Sequence, residues 1–333
     1  MRFSCFILIL CCGLVASCSR PADTAFPREE TLTQDLMPLQ GVTFPVKVDV
    51  KHPFLILQNM KVRDSLFHIY DLAGYELKSA FGMKGGGPED FVLPWLLHTP
   101  LRDMMIEEVN KNMIYRFGIS GDGQPVFKGA KRMNYAEYVL DPAFINDSLY
   151  VMEAKYYTSA PGLYRLSLAD GQPGKSLTYR NPDMNYASDP DMAEVYANES
   201  RIVLCYGYRK RIDVMDTDFN LIKRVDFEYD APSVINPEDQ ENVKMSYIYT
   251  FLGERYLYTV FSGMSPNEYR AGSARGTFLE VFDLDGNPIV RYRLEGRSPV
   301  FFAVDEETFT LYGAGDDGEP EDYLLVYKLT LSR

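Results

Sequence analysis

Short apolar runs recur along this chain, each closed by a turn built on Gly, Asp or Asn and followed by a second apolar run. Six such runs align before their turns: 66–72 before Gly74, 113–119 before Gly121, 163–168 before Gly171, 212–215 before Asn220, 278–284 before Gly286, and 323–329 at the end. Their spacing is roughly 48 residues for three steps, widens to about 66, and returns to about 45, which is the period of a repeat that holds several strands. The runs alternate or are continuously apolar, no long segment keeps a helical period, and Tyr and Phe together number 44. These features predict an all-β chain. One repeat cannot bury its own two faces, so six of them predict a six-bladed β-propeller. The sixth copy stops short of a fourth strand. A strand over 42–50 precedes the first copy and is expected to complete the last blade, closing the ring and removing an exposed edge. Two segments break the period, 230–242 and 261–276; both are polar or interrupted by Pro and are expected to be long binding loops.

Ahead of the repeats stands a different pattern. Residues 1–17 carry Arg2 and then a short apolar run, which is a secretion signal rather than a membrane span. The run closes on Val15-Ala16-Ser17-Cys18, which resembles a bacterial lipobox. That resemblance implies cleavage before Cys18 and a lipid on its sulfur, placing the chain in the cell envelope, with Ser19 leaning towards the outer membrane. Residues 18–40 hold three prolines and no period, so they read as a tether, leaving 41–331 as the propeller.

Charge and cysteine narrow the chemistry. With 34 basic and 47 acidic side chains the chain carries −13, which argues against nucleic acid as a partner. Of the five cysteines, Cys5, Cys11 and Cys12 lie in the signal and Cys18 would be acylated, so Cys205 alone remains, in an apolar run that reads as buried strand. The three histidines, His52, His68 and His98, form no metal-ligand spacing; His52 and His98 precede prolines as turn residues do, and His68 lies in an alternating strand.

The stretch Phe81-Gly82-Met83-Lys84-Gly85-Gly86-Gly87-Pro88-Glu89-Asp90-Phe91 permits a sharp backbone bend between two aromatic anchors, Phe81 and Phe91. It lacks the Gly-Lys-Ser/Thr and following helix of a phosphate loop. It resembles the Phe-Gly-x-x-Gly-x-Gly-Pro-x-x-Phe junction of six-bladed β-propeller lipoproteins of the Bacteroidetes type, often described as TolB-like or NHL-like. The likeness rests on Phe81, Gly82, Gly85, Gly87, Pro88 and Phe91, and implies a fold and an envelope location without an activity.

What the chain binds is less legible. Aromatic groups suit a sugar or protein surface, and Trp95, Tyr157, Asn236 and Asn267 are the candidate ligand contacts. No cofactor is expected. Calcium remains the alternative reading of the acidic turn with Asp316, Asp317 and Glu319, and of Asp283-Leu284-Asp285-Gly286-Asn287, which is also what a tight hairpin demands. The expectation is a membrane-anchored binding module for a protein or glycan, without catalysis of its own. The alternative is a metal-dependent, lactonase-like hydrolase with its site in the central channel, to which Asn146 and Asp147 would contribute.

Overall fold

The computed structural model describes residues 25–42, 44–61, 64–87, 90–133, 142–154, 162–272, 277–315 and 322–331. Six antiparallel sheets follow one another along the chain and form a six-bladed propeller. In each blade the strands are named a to d from the axis outward. Blade 1 comprises Pro45–Lys51, Phe54–Asn59, Phe67–Asp71 and Leu77–Phe81, and blade 2 comprises Pro94–Leu97, Met104–Glu108, Met113–Ile119 and Pro125–Arg132. Blade 3 is Ala143–Phe144, Leu149–Ala154, Gly162–Ser167 and Pro173–Leu177, and blade 4 is Ala193–Ala197, Ile202–Tyr206, Arg211–Met215 and Leu221–Asp226. Blade 5 runs Tyr247–Leu252, Tyr256–Phe261, Phe278–Asp283 and Pro288–Glu295; blade 6 runs Val300–Asp305, Thr310–Ala314 and Tyr323–Lys328. The six runs aligned in the sequence are the six c strands.

Burial follows position in the blade. Strand b of blades 1, 2, 4 and 6 is buried at every residue, because a neighbouring blade covers each of its faces, and its sequence is accordingly a near-continuous apolar run. The outer strands Pro125–Arg132 and Pro173–Leu177 are mostly exposed and carry the Lys, Arg and Ser that water requires. The apolar clusters lie between blades: Ile56, Phe67 and Ile106 between blades 1 and 2, Leu163, Leu204 and Tyr206 between blades 3 and 4.

The ring closes at blade 6, but not with the strand the sequence suggested. Pro45–Lys51 is strand a of blade 1, paired only with Phe54–Asn59. The outer strand of blade 6 is Asp35–Pro38, antiparallel to Tyr323–Lys328, and Glu29–Thr33 adds a fifth, parallel strand to blade 5. Both belong to the stretch read as a tether, so over 29–38 that expectation is corrected. The reason is visible in the burial: Leu32 and Met37 enter the large cluster shared by blades 5, 6 and 1, while their neighbours face water. Gln34 joins the two strands, its amide oxygen accepting from the Arg297 N–H at 3.0 Å.

The Gly-rich junction carries the chain from strand d of blade 1 to strand a of blade 2. Phe81 packs on Phe67 and Phe117, and Phe91 packs edge-on against Phe67 and Tyr115. Gly82 has φ +83°, and a Cβ there would stand 2.8 Å from the Phe67 ring, so this position demands glycine. At Gly85 and Gly87 the space is taken by the Asp90 carboxylate, which accepts the Gly87 N–H at 2.8 Å. Pro88 lies outside the described residues.

Candidate functional site

Every strand a runs in the same sense along the axis, so the channel has two unlike mouths. Strands a begin where the d-to-a crossings and b-to-c loops gather, here called the loop mouth. They end at the a-to-b turns, here called the turn mouth.

At the loop mouth, residues from four blades bring aromatic rings together. Trp95 of blade 2 lies beneath the Lys47 ammonium of blade 1, whose Nζ is 5.4 Å from the indole centroid and 5.7 Å from the Phe301 ring of blade 6. Tyr249 of blade 5 meets Phe301 edge-on at 5.7 Å. Phe301 is 40% exposed and has φ +45°, in a bulge where the register shifts between Val300 and Phe302. A phenylalanine held in the left-handed region at an exposed position is strained, and such strain collects at ligand-binding sites.

The two long loops stand on this face. Segment 227–246 contains the 3-10 helix Pro237–Asn242 and segment 262–277 contains the α-helix Pro266–Arg270 with a full capping box from Ser265 and Glu268. Asn236 accepts the Glu238 N–H, and Asn267 donates to Asn242 at 2.8 Å while accepting from Arg270. Both candidate asparagines therefore brace the loops. Arg270 also pairs with Glu241 across them. Tyr157, Asp316, Asp317 and Glu319 lie outside the described residues, as does Cys18.

At the turn mouth a cavity of about 660 Å³ opens between the a-to-b turns of blades 5, 6, 1 and 2. His98 reaches across its floor. Its Nδ1 is 2.8 Å from Asp49 Oδ1 of blade 1, its Nε2 is 2.9 Å from the Leu252 carbonyl of blade 5, and its ring packs on Phe251 at 4.2 Å. Lys51 completes the floor with its ammonium 3.0 Å from Asp49 Oδ2 and 2.6 Å from the Thr99 carbonyl. On the wall, His52 Nδ1 lies 3.2 Å from Asp305 Oδ2, and Asp305 accepts further bonds from Thr308 Oγ1 at 2.7 Å and the Glu307 N–H at 3.1 Å.

Burial alone would push the Asp49 carboxyl up, but Lys51 and His98 more than offset it and hold the group below the usual carboxylate value. Glu306, also at this mouth, is raised by burial despite bonds from the Arg255 and Tyr256 N–H groups and Tyr258. Away from both mouths, burial takes His68 down to about 4 and the Cys205 thiol up to about 12, so neither is a reactive group at neutral pH. His68 is buried, and its Nδ1 has no partner among the described residues.

Of the sequence candidates, Trp95 alone is brought to the channel among the described residues. Asn146 serves an a-to-b turn, accepting from Ser148 and the Leu149 N–H, so the inward-pointing role is corrected. Asp283 accepts from the Asp285 and Asn287 N–H groups and from the Asn287 amide, which is the hairpin reading of that turn. The histidines were missed as a pair. A signal existed: Lys51-His52-Pro53 and His98-Thr99-Pro100 occupy the same place, the end of strand a, in consecutive repeats. Among the described residues no three His, Cys, Asp or Glu side chains are spaced to hold a metal ion.

Comparison with solved structures gives the same fold. A protein from Bacteroides fragilis described as a candidate exported protein superposes with a TM-score of 0.55 at 10% identity, covering 91% of this chain and 99% of that one. A member of the duf4221 family from Bacteroides vulgatus superposes with a TM-score of 0.56 at 15% identity, covering 89% and 95%. At these identities the likeness speaks for the architecture. No family model matches the chain, and no curated protein matches it.

Proposed function

We propose that this chain is an envelope-displayed binding module whose ligand docks on the loop mouth, and that a glycan fits that mouth better than a protein. The observation that carries the reading is the exposed, left-handed Phe301 set beside Tyr249, Lys47 and Trp95. Ring faces around a channel mouth stack on the apolar faces of sugar rings, and an ammonium among them adds a polar contact. The exported neighbour, the signal over 1–17 and the lipobox-like Cys18 support display on the outer membrane by an N-terminal lipid.

A glycan array probed with the purified chain tests the ligand. Saturable binding to one glycan class, lost in Trp95→Ala and Phe301→Ala, supports the module; binding that survives both substitutions removes the loop mouth from the reading. The anchor is tested separately, by metabolic labelling with an alkyne fatty acid in wild type and Cys18→Ser. Label in the wild type alone is the expected result.

A further inference from the structure

The turn mouth has its own built site, independent of the aromatic one. Each ring nitrogen of His98 faces an acceptor, the Asp49 carboxylate on one side and the Leu252 carbonyl on the other, so bonding both requires a hydrogen on both. His98 thus spans the floor from blade 1 to blade 5. Lys51 is committed likewise, to Asp49 and to the carbonyl and hydroxyl of Thr99. The two side chains share one buried carboxylate. Burial works against the charge on Asp49, but Lys51 and His98 hold its carboxyl below the ordinary value.

The wall beside this floor presents an open acceptor and an open donor. Asp305 is buried and accepts from Thr308 and from the Glu307 N–H, so its remaining contact is made by a hydrogen on His52 Nδ1. Fixing the hydrogen on Nδ1 leaves Nε2 of this cavity-lining ring a bare acceptor, with no partner among the described residues. Arg102, on the neighbouring a-to-b turn of blade 2, lines the same cavity, and its guanidinium makes no hydrogen bond or ion pair among the described residues. On the side of blades 5 and 6 the lining holds Glu254, Glu306 and Glu307, with Arg255 paired to Glu306. Phe54, Pro53, Pro100 and Leu101 supply apolar wall between.

We propose that this cavity binds a small hydroxylated anion, a hydroxycarboxylate or a hydrogen phosphate, its oxyanion taken by Arg102 and its hydroxyl donating to His52 Nε2, above the His98–Asp49–Lys51 floor. A guanidinium is the donor such an oxyanion takes, and a bare imidazole nitrogen accepts from a hydroxyl. A volume of about 660 Å³ suits a metabolite-sized ligand. The floor is already saturated, so the site is organised before the ligand arrives.

The chain has three histidines, all of them described, which makes the test direct. The intact chain in detergent, labelled with 15N at histidine, gives three side-chain signals, and His52→Asn assigns one of them. Citrate and inorganic phosphate are titrated in turn, against sodium chloride at matched ionic strength. The expected result is a saturable shift of His52, a smaller one of His98 and none of His68, with Arg102→Gln weakening the affinity about tenfold. The probe that saturates at the lower concentration tells a carboxylate site from a phosphate site. Shifts that merely track ionic strength, or saturation unchanged in Arg102→Gln, overturn the proposal. Arg102 is exposed, so its replacement leaves folding intact, and Trp95→Ala at the other mouth does not touch this readout.

Discussion

The two mouths of one channel are built from the same six strands and differ in what those strands present. The loop mouth holds Trp95, Tyr249 and Phe301 with a single ammonium among them, and one of its residues sits in a strained backbone conformation. The turn mouth holds Asp49, Lys51, His98, His52 and Asp305, tied to one another and to the Leu252 and Thr99 carbonyls, with Arg102 beside them. The first surface owes its form to connections that vary in length. The second owes its form to shorter turns, from 52–53 in blade 1 to 98–103 in blade 2, which keep its polar groups beside the strand ends. A ring fold thus yields a loop-built end and a strand-built end from one repeat.

The comparison breaks most severely at Asp49. Replacing it by Ala leaves Lys51 and His98 without their shared carboxylate, and the loss of one partner from a buried ion pair costs about 3 to 5 kcal/mol. Denaturant unfolding should show this loss, whereas Trp95→Ala at the other mouth should cost clearly less. In wild type the Asp49 contribution, belonging to a carboxyl with a depressed folded value, is present above the unfolded carboxyl range and fades as pH falls through the lower folded value. Acid should therefore loosen the turn mouth first. Hydrogen exchange at the a-to-b turns of blades 1, 2 and 5 would show whether it does.

His68 gives a second, separable pH effect. Its folded value lies near 4, below the ordinary 6.5, so the neutral ring is favoured by folding. The stability this represents is full above pH 6.5 and is lost as pH falls from there towards 4, by a few kcal/mol at most. His68→Leu should flatten the stability curve over that window and leave the Asp49 effect at lower pH. A curve that does not flatten would remove His68 as its source.

Smaller effects sharpen the contrast. Gly82→Ala forces a side chain onto a φ of +83° and against the Phe67 ring, and should cost about 1 to 2 kcal/mol in thermal unfolding. Phe301→Gly should change stability by less than about 1 kcal/mol, because release of the left-handed strain offsets the chain entropy of glycine. That variant should nonetheless lose glycan binding. Full binding in Phe301→Gly would show the bulge to be incidental and would leave the turn mouth as the better site.

The c strands could be read from the chain because each is an apolar run ending in a turn that glycine, aspartate or asparagine must make, and both signals are local. The number of blades followed from their count. The junction from Phe81 to Phe91 was legible for the same reason: glycines such as Gly82 stand where no other residue fits. What pairs with what across the ring was not legible. Residues 29–38 follow Pro27, end on Pro38 and hold too few apolar positions to announce a strand, and only the open edge of blade 6 and the outer strand of blade 5 make strands of them. The sites lie on the same boundary. Trp95 stood out as the one tryptophan, but Phe301 acquires its exposure and left-handed backbone from a bulge, and His52 and His98 acquire meaning from Asp305, Asp49 and Leu252, which are brought to them by closure of the ring. Local sequence determines strands and turns because their causes are local; the polar floor and the aromatic mouth are contacts between distant blades, and the fold alone decides those.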